Sequence, residues 1–127
     1  MMIKISINEK VNPSAPSEPR KFYGIVKSSG TVDIRQLAKQ VSKETSLGTP
    51  DVVAVIEALL QDIPDYLLDG KIVNLGDFGS FRLTASGKGA ATLGEYSTSM
   101  IEKTNLNFRA GKVFKDFLSR ATYQKEV

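Results

Sequence analysis

The chain has 127 residues, the length of one ordinary domain. It contains neither cysteine nor histidine, which excludes disulfide scaffolds, thiolate nucleophiles, Cys/His zinc sites and serine–histidine triads. The net charge of +3 is segregated, +4 over residues 1–47, −5 over 48–81 and +4 over 82–127, a pattern suited to one face for an anionic partner and another kept away from it.

At the start, Ile3, Ile5 and Ile7 alternate with Lys4, Ser6 and Asn8, the signature of a half-buried strand. No apolar block there has signal-peptide length, and no run reaches the ~18 apolar residues of a membrane span. A cytoplasmic protein is expected. Asn12 to Pro19 holds three prolines and can be neither helix nor central strand. Lys21 to Lys27 reads as a second strand, ended by Ser28-Ser29-Gly30. Residues 1–31 are therefore an N-terminal β extension, a hairpin with a long Pro-rich, mobile tip.

Asp33 is a suitable N-cap, Gln36 completes a capping box, and Val32 can staple onto Leu37. The helix runs to about Ser46 with Ile34, Leu37, Ala38, Val41 and Thr45 on its inner face. Arg35, Lys39 and Lys43 form a basic outer stripe, read as a solvated face with phosphate contact as the alternative. Thr49, as cap, and Pro50, at the first helical position, begin a second helix, which ends at Leu68 before Asp69-Gly70. Val52, Val55, Ile56, Leu59, Ile63, Tyr66 and Leu67 fill a face wider than one neighbour needs, so a second subunit is expected against it. Pro64 should kink this helix near Leu60. Asp51, Glu57, Asp62, Asp65 and Asp69 lie on its polar side, with nothing nearby to place a substrate.

Lys71 to Leu75 is a strand, Gly76-Asp77-Phe78-Gly79 a turn, and Ser80 to Thr84 the antiparallel partner. Residues 85–99 hold too few apolar groups to pack and read as a projecting ribbon tip. Met100 to Phe108 returns as a strand. Gly111 opens a last helix with Val113, Phe114, Phe117, Leu118 and Ala121 inward. Thr122 to Val127 is expected to fray as a flexible tail.

Two apparent motifs fail. Gly89-Ala90-Ala91-Thr92-Leu93-Gly94 has the glycine spacing of a phosphate loop, but Glu95 stands where lysine is required. Asp77-Phe78-Gly79 matches the kinase magnesium triplet by letter, in a chain too short for that fold and lacking His-Arg-Asp.

A third pattern survives as an ordered whole. Two capped helices are followed by Val73-Asn74-Leu75-Gly76-Asp77-Phe78-Gly79-Ser80-Phe81, a Gly-rich ribbon, and Phe108-Arg109-Ala110-Gly111-Lys112-Val113-Phe114-Lys115. This order resembles the bacterial histone-like HU/IHF DNA-binding family from Val32 to Leu118, and the first 31 residues resemble an added segment of a longer HU-related branch. The resemblance implies an α+β fold: a two-helix base, an antiparallel sheet with a protruding β-ribbon arm (about 85–99), and a C-terminal helix, within residues 32–121. It also implies an intertwined homodimer that bends double-stranded DNA with little sequence preference and compacts the nucleoid. Carried over by position, Lys112 lies at the last helix's start, where helix terminus and cation both favour phosphate. Arg82, Lys103, Arg109 and Lys115 become saddle and arm-base cations, with Gly111 at the junction and Lys88 on the arm. The family's arm carries several arginines and an Arg-Asn-Pro tip, whereas residues 85–99 contain Lys88 as their one cation and no proline. Leu93 and Tyr96 are the candidate wedges between base steps.

The expectation is a non-enzymatic architectural DNA-binding protein with no cofactor, metal, small-molecule substrate or membrane partner. An HU-like interaction module with weakened DNA binding is the alternative. Single-strand or RNA binding is disfavoured, because only Tyr96 offers an accessible stacking surface.

Overall fold

A computed structural model describes residues 2–126. By backbone proximity the chain divides into two compact units, Met1–Asp33 with Phe117–Val127, and Ile34–Asp116.

In the first unit, β1 (Ile3–Lys10) and β2 (Lys21–Val26) pair antiparallel, from Ile5 opposite Val26 to Lys10 opposite Lys21. The intervening proline-rich loop makes two turns, the Ala15 amide donating to the Asn12 carbonyl at 3.1 Å and the Glu18 amide to Ala15 at 3.0 Å. The Asn12 side chain also accepts from the Ser14 amide at 3.0 Å, the local bonding that favours Asn in turns. The segment after Thr122 departs from expectation. Instead of fraying, Tyr123–Lys125 forms β6 (numbered in chain order), parallel to β1 with Ile3 opposite Tyr123 and Ile5 opposite Lys125. The sheet order is β2-β1-β6. Bonds from the Ile3 amide to Thr122 O (2.8 Å) and from the Glu126 amide to Ile5 O (2.9 Å) bracket the pairing. The physical reason is that β1, paired on one side only, leaves a row of backbone groups that require partners. Val127 lies outside the described residues.

In the second unit, α1 (Ile34–Glu44) starts immediately after Asp33, at the position expected for its cap. It packs on α2 (Thr49–Leu68). Thr49 is the first helical residue rather than the cap; that place belongs to Gly48, in extended conformation with no side-chain bond. Helix α2 runs without interruption through Pro64. Its end is a Schellman closure: Gly70, at φ +82°, donates to Leu67 O at 3.0 Å, and Lys71 donates to Tyr66 O at 3.1 Å.

The strand expected over Lys71–Leu75 shrinks to β3 (Val73–Asn74). Gly76, at φ +66°, turns the chain at once into a 3₁₀ turn, Gly76–Phe78. The Asn74 side chain accepts the Gly76 amide at 2.8 Å, and the Leu75 amide reaches Gly79 O at 2.8 Å. β4 (Gly79–Gly87) and β5 (Ile101–Ala110) form a long antiparallel ribbon, so residues 85–87 belong to a strand and not to the tip. The sheet order is β3-β4-β5, with an irregularity between Ser86 and Gly87. Beyond it the tip carries two further 3₁₀ turns, Leu93–Glu95 and Thr98–Met100. α3 (Lys112–Ser119) follows β5 directly.

The turn and the β5–α3 junction, distant in sequence, are one place in the fold. Gly79 is buried at φ +143°, and a Cβ there would lie 2.5 Å from Arg109 O and from the Phe108 ring. A Cβ on Gly111 would collide with the Asp77 carbonyl. Around these glycines Phe78, Phe81, Phe108 and Phe114 interlock, with ring centroids 4.6 Å apart for Phe78–Phe114 and 4.9 Å for Phe81–Phe108. Among the described residues, however, the buried hydrophobic side chains are Ala38, Val52 and Leu67 alone.

Candidate functional site

Side chains alternate between sheet faces, and directly opposed residues share a face. The β4–β5 register pairs Ser80 with Arg109, Arg82 with Asn107, Thr84 with Asn105, and Ser86 with Lys103. These eight residues therefore occupy one side of the ribbon, and every one is polar or cationic. The other side carries Phe81 opposite Phe108 and Leu83 opposite Leu106. β3 extends the same division, with Asn74 opposite Ser80 and Val73 opposite Phe81.

Three of the sequence-nominated cations, Arg82, Lys103 and Arg109, thus share a single face. At its base is a shallow depression of about 380 Å³, lined by Asn74, Ser80, Arg82 and Arg109 together with Gly76, Gly79 and Gly111. Of these glycines, Gly76 has open space where a Cβ would stand, whereas Gly79 and Gly111 serve close packing within the fold. Gly111 lines this depression, but its amide is already bonded to Phe78 O at 3.0 Å, which makes it a spacer for the junction rather than a free donor. Lys112 and Lys115 are exposed at the first and fourth positions of α3. Lys88 is apart from the others, on the tip, 3.9 Å from Glu102 in an exposed ion pair, which has little strength in water. Leu93 at the tip is 94% exposed.

Residue-by-residue inspection for cations missed Ser80, Thr84, Ser86, Asn105 and Asn107. The signal was available: two runs of alternating polarity, Ser80 to Ser86 and Lys103 to Arg109, need only be set antiparallel to reveal the face. A cluster of acidic residues lies elsewhere in this unit. Asp62, Asp65 and Asp69, with Tyr66, line a separate depression of about 440 Å³ on the C-terminal half of α2. Among the described residues no His/Cys/Asp/Glu group could hold a metal ion, and no helix is long and apolar enough to cross a membrane.

Paired helices, a glycine-locked turn and a ribbon with one cationic face define an HU-type α+β protein. The chain belongs to the HU-HIG family, described as an HU domain fused to wHTH, Ig, or Glycine-rich motif, whose model matches residues 1–125. The match includes the N-terminal hairpin and β6 as well as the helices and ribbon. Among solved structures, the fold is similar to that of a candidate bacterial DNA-binding protein from Bacteroides vulgatus ATCC 8482, with a TM-score of 0.66 and 11% identity. The similarity covers 98% of this chain and 48% of that one, so the chain spans about half the length of that structure. No curated protein matches the chain.

Proposed function

We propose that this protein is a non-enzymatic, architectural DNA-binding protein of the nucleoid that grips double-stranded DNA as a homodimer, largely without sequence preference. The observation that carries this reading is the single polar face of β4–β5, with Arg82, Lys103 and Arg109 among serine, threonine and asparagine side chains. Cations neutralise phosphates and release counterions, and short polar side chains bond phosphate and sugar oxygens. Lys112 and Lys115, exposed on α3, add two further cations to this reading. The acidic end of α2 would be repelled by the same duplex. Leu93 supplies an apolar wedge of the kind that minor-groove ribbons insert between base steps.

What one chain leaves uncovered supports the dimer. Val55, Leu59 and Leu60 on α2 are all about half exposed, as are Leu106 and Phe108 on the apolar side of the ribbon. A second copy is the partner able to cover faces of this kind symmetrically.

The test is fluorescence-anisotropy titration of a labelled duplex across a salt series, comparing the wild type with Arg82→Gln/Arg109→Gln. Loss of two phosphate contacts should flatten the log–log salt slope by about 1.8 and weaken unrelated sequences alike. Unchanged affinity and slope would reject this face and favour the second reading, an HU-like interaction module. That reading draws on the tip, where Lys88 is paired with Glu102.

A further inference from the structure

The β1–β2 hairpin gathers most of its cations on one side. Ile3, Ile5 and Ile7 share one side of β1. Its other side carries Lys4, Ser6, Asn8 and Lys10, with Ile25 opposite Ser6, Tyr23 opposite Asn8 and Lys21 opposite Lys10. The Lys27 amide bonds to Lys4 O at 2.8 Å, which continues the register and sets Lys27 beside Lys4. Two lysine pairs thus face each other across the strands at opposite ends of one side of the sheet. Like charges directly opposed on a sheet are destabilising. At one end Glu126 relieves the charge through its 2.8 Å ion pair with Lys27. At the other, among the described residues, neither Lys10 nor Lys21 forms an ion pair.

We infer that this side of the N-terminal sheet is a second phosphate-contacting surface, and that its partner is the backbone of double-stranded DNA. This rests on the DNA-binding reading above and adds to it a site outside the β4–β5 ribbon. The spacing selects the partner. Lys4 and Lys10 are six residues apart along one strand, about 20 Å, so a single small phosphate meets only one pair, whereas an extended polyanion meets both. Each end opens into a concavity of mixed lining, about 400 Å³ beside Lys10, Asn12 and Tyr23 with Val11 and Pro13, and about 430 Å³ beside Lys4 and Lys27 with Met2, Ile3 and Val26. Between the ends, Ser6, Asn8 and Tyr23 supply neutral hydrogen-bonding groups of the kind that hold phosphate and sugar.

The experiment uses the full chain with Lys10→Gln/Lys21→Gln, alone and combined with Arg82→Gln/Arg109→Gln. The expected result for the lysine pair is a salt slope on duplex flatter by about 1.8 and roughly tenfold weaker binding at physiological salt. Its melting temperature should hold or rise, because the substitution removes a repulsive pair. If the arginine variant loses affinity while the lysine variant keeps both affinity and slope, the second surface is refuted and the ribbon reading stands. If neither variant loses affinity, both fall. Wild-type binding to phosphatidylserine vesicles that the lysine variant loses, with duplex binding unaltered, would reassign the surface to membranes and overturn the inference.

Discussion

In the β3-β4-β5 sheet the strands follow one another in sequence, and their pairing is pinned by a glycine turn and four phenylalanine rings. In the β2-β1-β6 sheet two strands form a local hairpin, and the third arrives from the far end of the chain, with Ile3 opposite Tyr123. The ribbon divides into an apolar and a cationic face, whereas the N-terminal sheet is mixed, with Ile25 among its lysines and Glu9 and Lys125 on its isoleucine side. The two sheets also differ in what fixes their geometry. The ribbon is positioned by steric exclusion at Gly79 and Gly111, whereas β6 is held by a three-residue ladder and an exposed ion pair. Closing a loop of more than a hundred residues costs more entropy than closing a hairpin, and β6 has few contacts to offset that cost. Its detachment should therefore be easier than opening the β1–β2 hairpin.

The largest effect expected on this comparison comes from α2, which underlies the ribbon sheet. Leu59→Asp would place a carboxylate in the surface proposed to meet a second subunit, where an unpaired charge would cost several kcal/mol. The expected outcome is loss of the dimer or of the fold. Light scattering checks it, and a folded variant of unchanged dimeric mass would break the dimer reading.

A smaller effect contrasts the turn of the ribbon sheet with the segment that follows β2. Gly30 and Gly79 have nearly the same backbone angle, φ +144° and +143°. At Gly30 an added Cβ meets nothing within 4 Å, whereas at Gly79 it meets Arg109 O and the Phe108 ring. Backbone strain alone costs about 1–3 kcal/mol for alanine in such a region. Gly30→Ala should show no more than that. Gly79→Ala should lose more and should also disturb the phenylalanine cluster, seen as altered near-ultraviolet circular dichroism. Equal melting temperatures for the two variants would show that packing adds nothing at the turn.

The same contrast explains what could be read from the sequence. The ribbon, α2 and the turn were legible because their signals are local: alternation, a proline at a helix start, glycines at a crowded junction. Strand β6 was not, because Tyr123-Gln124-Lys125 is too short to show a period and its partner lies at the other end of the chain. β3 was overextended because Ile72 and Leu75 continue an apolar pattern that the Gly76 turn cuts off. The cations Arg82, Lys103 and Arg109 were found singly. Their common face with Asn105 and Asn107 depends on register, which no single strand encodes.

The mildest perturbation tests the weakest fastening. Hydrogen bonding to Lys27, aided by the nearby charges of Lys27 and Lys4, holds the Glu126 carboxyl below its ordinary value of 4.5. A depressed carboxyl favours the folded arrangement at pH values above the free-chain value, and that contribution fades as pH falls through the lowered one. The clasp should therefore be intact at neutral pH and released in mild acid. Because both side chains are well exposed, the change should be local, loosening β6 without melting either sheet. Backbone amide shifts of Tyr123, Gln124 and Lys125, followed from about pH 6 down to pH 3, should move together with a midpoint below 4.5, while the amides of β4 and β5 should not follow that midpoint. Glu126→Gln should abolish this titration and leave β6 at neutral pH in the loosened state that the wild type reaches in acid. Unchanged β6 shifts in the variant, with the acid transition still present, would mean that the ladder to β1 holds the strand unaided and that another carboxylate titrates.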